Sequence, residues 1–301
     1  MQTKTKSAWM IAGAGALWGM IALFVRVLRE AGLTPLEIVF FRNMLAAIAL
    51  GALIFIRDRR AFSIRLRDIW MFAGTGMVSI ALFNFCYFYT LSHSSVAVAA
   101  LLLYTSPVFV LLFSMLLFGE KLTGNRALAV CVTIAGCACI TGVFSHAQSV
   151  APLTVLSGLG SGLFYGLYSI FGKFALRRYS AVTVSFYTFV FAAGATAPLC
   201  AQPCVTFAAG HASGLLFGLG LAVFCTVAPF LLYTAGLDGV PASQAALLAA
   251  VEPLVGSLVG VAAFDDPFTI WTALGMLLIL SAIAVLQLPD RQSGKAGELR
   301  G

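Results

Sequence analysis

Apolar residues run through this chain in ten long stretches, broken by short polar segments. They fall near residues 7–29, 35–56, 69–91, 96–118, 127–144, 153–175, 181–199, 214–236, 242–263 and 270–288. A bilayer core of roughly 30 Å takes about 20 helical residues, so nearly every stretch is of membrane-spanning length. The pattern predicts an all-α integral membrane protein of ten transmembrane helices, referred to as spans 1 to 10.

The second five stretches read as a divergent copy of the first five. With Pro107 set over Pro253, ALLLYTSPVFVLL (100–112) falls on ALLAAVEPLVGSL (246–258). Ala99, Ala100, Leu101, Leu102, Pro107, Leu112, Phe118 and Thr123 then meet identical residues. Spans 1 and 6 give a second register, one residue longer. There Gly13, Gly15 and Gly19 fall on Gly160, Gly162 and Gly166, Trp18 on Tyr165, Phe24 on Phe171 and Arg26 on Lys173. The reading is of two repeats, 1–150 with spans 1 to 5 and 151–301 with spans 6 to 10 and a short tail. Five is odd, so the second repeat must enter the membrane upside down relative to the first, the inverted architecture of many secondary transporters.

Composition agrees: 61% of residues are hydrophobic and 10% charged, far more apolar surface than a soluble core of 301 residues could bury. The net charge of +7 invites a nucleic-acid reading, which the placement of the bases removes. Lys4, Lys6, Arg57, Arg59, Arg60, Arg65, Arg67, Lys121, Arg126, Lys173, Arg177, Arg178, Arg291, Lys295 and Arg300 share one side, against Arg26 and Arg29 on the other and Arg42 within a span. By the positive-inside rule both termini are expected in the cytoplasm. The turn between spans 8 and 9, with Asp238 and no base, is a gap in that support. The first apolar stretch exceeds a signal-peptide core and merges with a span that the repeat requires, so cleavage is not expected.

Five of the seven cysteines lie in predicted spans, where a thiol is ordinary packing. Cys200 and Cys204 fall in an expected external loop, where a disulfide is an option that four-residue spacing supports only weakly. No Cys/His grouping points to a metal, and no cofactor is expected. His93, His146 and His211 fall in expected external loops, away from any intramembrane proton relay.

Ionisable groups at membrane depth are functional candidates by default. Glu252 is central to span 9 and immediately precedes Pro253, which removes a backbone donor and frees a carbonyl one turn earlier. It is expected to bind a proton or a substrate amine, taking up a proton on one face and releasing it on the other; a hydrogen-bonded packing role is the alternative. Arg42 keeps its charge and needs a counter-group. A loose pair with Glu37 or with helix C-termini, and direct contact with substrate, are its two readings. Trp18, Asn84, Tyr87, Tyr104, Tyr165, Tyr168 and Tyr233 supply aromatic faces and polar rims suited to an amphipathic solute or organic cation; membrane-interface anchoring is the competing role for Trp and Tyr. Pro107, Pro229 and Pro253 are the expected kinks. Trp18, Asn84, Tyr104, Tyr165 and Glu252 are expected to line one cavity.

Several of these segments together resemble the EamA-type members of the drug/metabolite transporter superfamily. They are ALLLYTSPVFVLLFSMLLFGEKLT and its copy ALLAAVEPLVGSLVGVAAFDDPFT, the FFRNMLAA arginine of span 2, and the glycine-rich starts of spans 1 and 6. The resemblance runs from about residue 8 to 288 and is specific for fold, weak for substrate. It implies a ten-helix transporter with a central cavity lined mainly by spans 1, 3, 4, 6, 8 and 9, working by alternating access. The bacterial inner membrane is the expected location, with small-molecule substrate and lipid as partners and monomer and homodimer both open. Members export amino acids, metabolites or drugs, or take up nutrients such as choline. One departure is that GEKLT after span 4 becomes DDPFT after span 9. Asp266 keeps the acid aligned with Glu120, and both acids are expected to cap or hydrogen-bond the start of the following helix.

The leading expectation is a secondary transporter of a small organic solute, an amino acid, amine or related metabolite, working as an exporter with proton coupling at Glu252. The alternative is an uptake carrier, uniporter or exchanger for an organic cation such as choline. No Walker motif is present, so energy must come from a gradient or exchange. An intramembrane enzyme, lacking GxSxG and any intramembrane histidine, is the remote alternative. A channel is disfavoured by the absence of charged rings.

Overall fold

The computed structural model describes residues 2–142 and 150–287, and every regular element among them is helical. Nine helical runs are long and apolar enough to cross a membrane: Lys4–Glu30, Pro35–Arg57, Leu66–His93, Val96–Phe118, Gly124–Thr141, Pro152–Leu176, Ala181–Gly210, Ala212–Gly239 and Ala242–Phe264. The shorter apolar helix Ile270–Leu286 completes the ten spans. Hydroxyl side chains set several starts. Thr34, Ser95, Thr123 and Ser180 each accept from the amide three residues on, satisfying a donor that a helix end otherwise leaves free.

The two halves bend at matching positions. Span 4 is interrupted at Tyr104–Thr105 and span 9 at Ala249–Ala250, in both cases about one turn before the proline. The pyrrolidine ring of Pro107 or Pro253 cannot coexist with a regular bond to the carbonyl four residues back, so the chain tightens there. Thr105 N donates to Leu102 O at 3.2 Å and Ala250 N to Leu247 O at 3.1 Å. Spans 3 and 8 each contain a π-helical segment, Gly74–Ala81 and Val223–Val227. Pro229 follows the second of these, at the start of the α-helix Ala228–Gly239. Spans 4 and 9 end in left-handed residues, Gly119 (φ 66°) and Asp265 (φ 57°), the latter an unusual conformation for a residue with a side chain.

Packing crosses between repeats. A Cβ on Gly15 would lie 2.8 Å from Ala249 O in span 9, and one on Gly162 would lie 2.8 Å from Leu102 O in span 4. One turn further, Gly19 faces Glu252 O at 2.8 Å and Gly166 faces Ser106 O at 3.2 Å. Span 1 is therefore seated on the kink of span 9 as span 6 is on the kink of span 4. Such backbone approach is what small residues permit where lipid removes the hydrophobic drive for helix association. Spans 5 and 10 close the arrangement, with a Cβ on Gly136 meeting Gly275 O at 3.0 Å and one on Gly275 meeting Gly136 O at 2.6 Å.

Two expectations need correction. Span 7 continues to Gly210 despite Pro198 and Pro203, so Cys200 and Cys204 lie in helix and not in a loop. Both are buried free thiols packed near Phe41 and Phe207, and Cys204 Sγ donates to Glu37 O at 3.4 Å. Residues four apart on a helix hold their Cβ atoms about 5–6 Å apart, beyond the roughly 3.5–4.5 Å a disulfide requires. His93 ends the span 3 helix and His211 separates spans 7 and 8, while His146 lies outside the described residues.

Candidate functional site

A cavity between the repeats takes its lining from spans 1, 3, 4, 6, 8 and 9. Trp18, Ile80, Ser106, Tyr165, Tyr168 and Tyr233 form part of its wall. Trp18 meets Phe230 edge-on with ring centroids 5.2 Å apart and Tyr233 at 5.4 Å. The hydroxyls of Tyr168 and Tyr233 are already engaged: Tyr168 with Thr234 at 2.6 Å, Tyr233 with Ser169 at 2.7 Å. These buried pairs tie span 6 to span 8. The cavity here measures about 30 Å³, room for a water or two and not for an organic solute. Trp18, Tyr168 and Tyr233 thus form an aromatic floor.

Glu252 lies beyond that floor. It occupies the first turn of the helix Val251–Phe264, the segment created by the break at Ala250. The exposed amides of a helix start favour a carboxylate there. Tyr165, from span 6 of the same repeat, donates its hydroxyl to Glu252 Oε2 at 3.0 Å. The carboxylate also lies within electrostatic reach of the Tyr87 and Tyr104 hydroxyls, the Cys137 thiol and the Arg42 guanidinium. Glu252, Tyr87, Tyr104 and Tyr165 are all half-buried.

Not every expected site residue joins this group. Asn84 is buried and its amide donates to Ile80 O at 2.7 Å, one turn back in its own helix. Glu37 belongs to a capping box: its carboxylate accepts from Thr34 N at 2.7 Å and its own amide donates to Thr34 Oγ1 at 3.4 Å. Arg42 makes no ion pair with it or with any other acid among the described residues. The expected loose Glu37–Arg42 pair is absent, because the helix start consumes the acid. Arg42 is instead 9% exposed with Nε unpartnered, and the charges or dipoles reaching it are those of Cys225, Glu252 and Tyr165.

The base-rich end of the bundle carries a polar closure that sequence reading missed. Lys173 Nζ donates to Leu237 O at 2.6 Å, Asp238 O at 3.2 Å and Val240 O at 2.8 Å, filling the turn between spans 8 and 9 that lacks a base of its own. Glu120 accepts from Ala242 N at 2.9 Å, from the Ser243 hydroxyl, and from Arg126 Nη1 at 3.2 Å. Glu120 therefore caps span 9 and also bonds Arg126 in the first turn of the following helix, whose own cap is Thr123. Asp266 does not cap its following helix either; Thr269 accepts from Thr272 N at 3.1 Å there. Nearby, Asp68 accepts from Arg178 at 2.8 Å and from Tyr179 at 2.7 Å. In sequence, Lys173 read as one of the cytoplasmic-side bases and Glu120 as a partner of the helix that follows it.

A profile of the EamA-like transporter family matches residues 5–142 and again 152–288, once for each repeat. The chain belongs to the EamA-like transporter family. An uncharacterized transporter of Archaeoglobus fulgidus is 28% identical over 90% of this chain and 93% of its own. The pseudopaline exporter CntI of Pseudomonas aeruginosa is 29% identical over 69% of this chain and 74% of its own. A solved crystal structure shares the fold with a TM-score of 0.76 at 22% identity, covering 96% of this chain and 98% of that one. The EamA-type chain is thus a multi-pass membrane protein of a transporter family.

Proposed function

We propose that the protein is a secondary active exporter of a small organic solute bearing an amine, coupled to protons through Glu252. The observation carrying this reading is the Tyr165–Glu252 hydrogen bond at 3.0 Å, which ties an ionisable group at the kink of span 9 to span 6 of the same repeat. A proton and an ammonium group compete for one carboxylate, so release of one on binding of the other gives exchange without further machinery. The similarity to an exporter in Pseudomonas aeruginosa supports the outward direction. The clustering of Lys and Arg at one end supports a bacterial inner-membrane orientation with both termini in the cytoplasm. On this reading the Lys173–Glu120 closure is the cytoplasmic gate, shut in this conformation.

In proteoliposomes containing the purified protein, an imposed pH gradient drives amine accumulation for the wild type. It fails to do so for Glu252→Gln, which retains exchange at most. Unchanged pH-driven accumulation in Glu252→Gln removes proton coupling from the reading. The tyrosines around the carboxylate also favour a second reading, uptake of a quaternary organic cation by facing aromatic rings. Accumulation of choline down its own gradient, indifferent to pH, is the outcome that selects it.

A further inference from the structure

Residues 57–68, which join span 2 to span 3, and the adjoining pair Arg177–Arg178 after span 6 place seven bases against two acids, Asp58 and Asp68. A block of like charge ordinarily stays solvated and unstructured. Here the corner between spans 6 and 7 fixes the backbone instead. Thr183 Oγ1 donates to Ala61 O at 3.1 Å, the Tyr187 hydroxyl to Phe62 O at 2.7 Å, and Arg65 N to the Tyr179 hydroxyl at 3.1 Å. Asp68 is buried and accepts from Tyr179 at 2.7 Å and from Arg178 Nη1 at 2.8 Å. A loop of the first repeat is thereby clamped onto a corner of the second. Between them lies a cavity of about 320 Å³ lined by Ser63, Ile64, Arg65, Arg178 and Tyr179.

This cavity holds more cation than the fold uses. Arg59 stacks on Phe55 and Arg177 on Phe174, but the guanidinium of Arg65 has no partner among the described residues. Asp68 engages Arg178 through Nη1, which leaves the other N–H donors of that guanidinium uncommitted. Two guanidinium groups, one from each repeat, therefore line one space, and their planar forks match the oxygens of a phosphate. The depth of the site selects the source of that phosphate. Arg65 immediately precedes the apolar run Leu66–His93, and Arg177 immediately follows the run Pro152–Leu176, so the cavity lies where the spans meet water. Leu66 and Trp70 beside it are exposed, and a tryptophan at such a boundary sits at headgroup level. Clustered bases next to a span attract anionic headgroups, which the membrane presents there at high local concentration. Leu176 is eleven residues beyond Tyr165, roughly 16 Å along the helix, so this site is separate from Glu252. We infer that the cavity is a phosphate-oxyanion site in which Arg65 and Arg178 receive the headgroup of an anionic phospholipid.

The test titrates the purified full-length protein, in an uncharged detergent, with short-chain phosphatidylglycerol, with phosphatidylcholine of the same chains, and with inorganic phosphate. Thermal unfolding reports binding. Phosphatidylglycerol raises the unfolding temperature saturably, and phosphatidylcholine, whose own cation opposes the bases, needs about tenfold more for the same shift. Arg65→Gln raises the half-saturating concentration of phosphatidylglycerol about tenfold, as loss of a charge-assisted contact does, and Arg65→Lys raises it less. Arg57→Gln removes the same charge at the end of span 2, outside the cavity lining, and changes it by less than about twofold. Equal potency of the two lipids overturns the inference, because the acyl chains and not the headgroup are then bound. An unchanged half-saturation in Arg65→Gln, or equal weakening by Arg57→Gln, also overturns it by reducing the site to diffuse surface charge. Inorganic phosphate that matches phosphatidylglycerol at equal concentration, with the same dependence on Arg65, overturns the assignment to lipid. The two-lipid comparison uses the wild type, so it decides the matter even if a variant fails to fold.

Discussion

The hydroxyl of Tyr165 in the second repeat's first span donates to Glu252 in its fourth, at 3.0 Å. The same two positions in the first repeat are Trp18 and Ser106, both on the cavity wall and neither ionisable. The duplicated frame is symmetric in its kinks and glycine contacts; its chemistry is not. Tyr165→Phe removes one hydrogen bond to a charged acceptor and little volume. The expected result is a roughly tenfold rise in the half-saturating solute concentration for counterflow, with thermal stability nearly unchanged. An unaltered half-saturation would show that Tyr165 does not position the acid for solute.

The glycine contacts make a contrast within one protein. At Gly19 a Cβ would lie 2.7 Å from the Val255 Cβ and 2.8 Å from Glu252 O, neither of which can yield without shifting span 9. Gly194, inside the helix Ala181–Gly210, has open space around it. Gly19→Ala is expected to cost about 1–3 kcal/mol by overpacking, and Gly194→Ala to be neutral or to stabilise by up to about 1 kcal/mol through higher helix propensity. Unfolding of both variants in the same detergent compares them directly. Equal destabilisation would mean that the span 1–span 9 contact is looser than a 2.7 Å approach at Gly19 implies.

Closure at the base-rich end depends on few groups. Glu120 holds the start of span 9 through Ala242 N and Ser243, and Lys173 holds the end of span 8. Removing the clamp by Glu120→Ala shifts the balance toward a state open at this end, each 1.4 kcal/mol of lost closure changing the ratio about tenfold. A single cysteine placed at Ala246, on the cavity wall, in a background with the native cysteines replaced reports the change. Its labelling by a membrane-impermeant thiol reagent added from the Glu120 side should rise severalfold in Glu120→Ala. Equal labelling would show that the clamp is not a gate.

Much of this architecture was legible in the sequence because its causes are local. Ten apolar stretches fix ten helices, and the prolines at 107 and 253 fix where spans 4 and 9 bend. The aligned glycines at 15 and 162 mark contacts that the structure places against the two kinks. Side-chain commitments were less legible, since they depend on what lies across the bundle. Glu37 looked like an intramembrane charge and is a helix cap; Glu120 bonds the start of its neighbouring helix through Arg126, as expected, but also caps one 122 residues away, which the sequence does not signal. The apolar pattern put the end of span 7 near residue 199, but neighbouring helices and apolar packing hold that helix continuous through Pro198 and Pro203 to Gly210. Ser169 and Thr234 gave no signal at all, because a hydroxyl in an apolar helix usually bonds back to its own turn.

The seating of span 1 on span 9 also bears on how the chain is made. Ribosomal synthesis delivers Gly15 and Gly19 to the membrane first, while their partner surface at Ala249 and Glu252 emerges almost last. Until then the glycine face of span 1 has no native cover, so the nascent protein must hold a closely packing helix in waiting through the insertion of seven further spans. Span 6 has no such interval, because the bend of span 4 is already in place when it arrives. The two halves share a shape but not a schedule, and premature termination before span 9 would leave an unpartnered helix face for quality-control proteases to find.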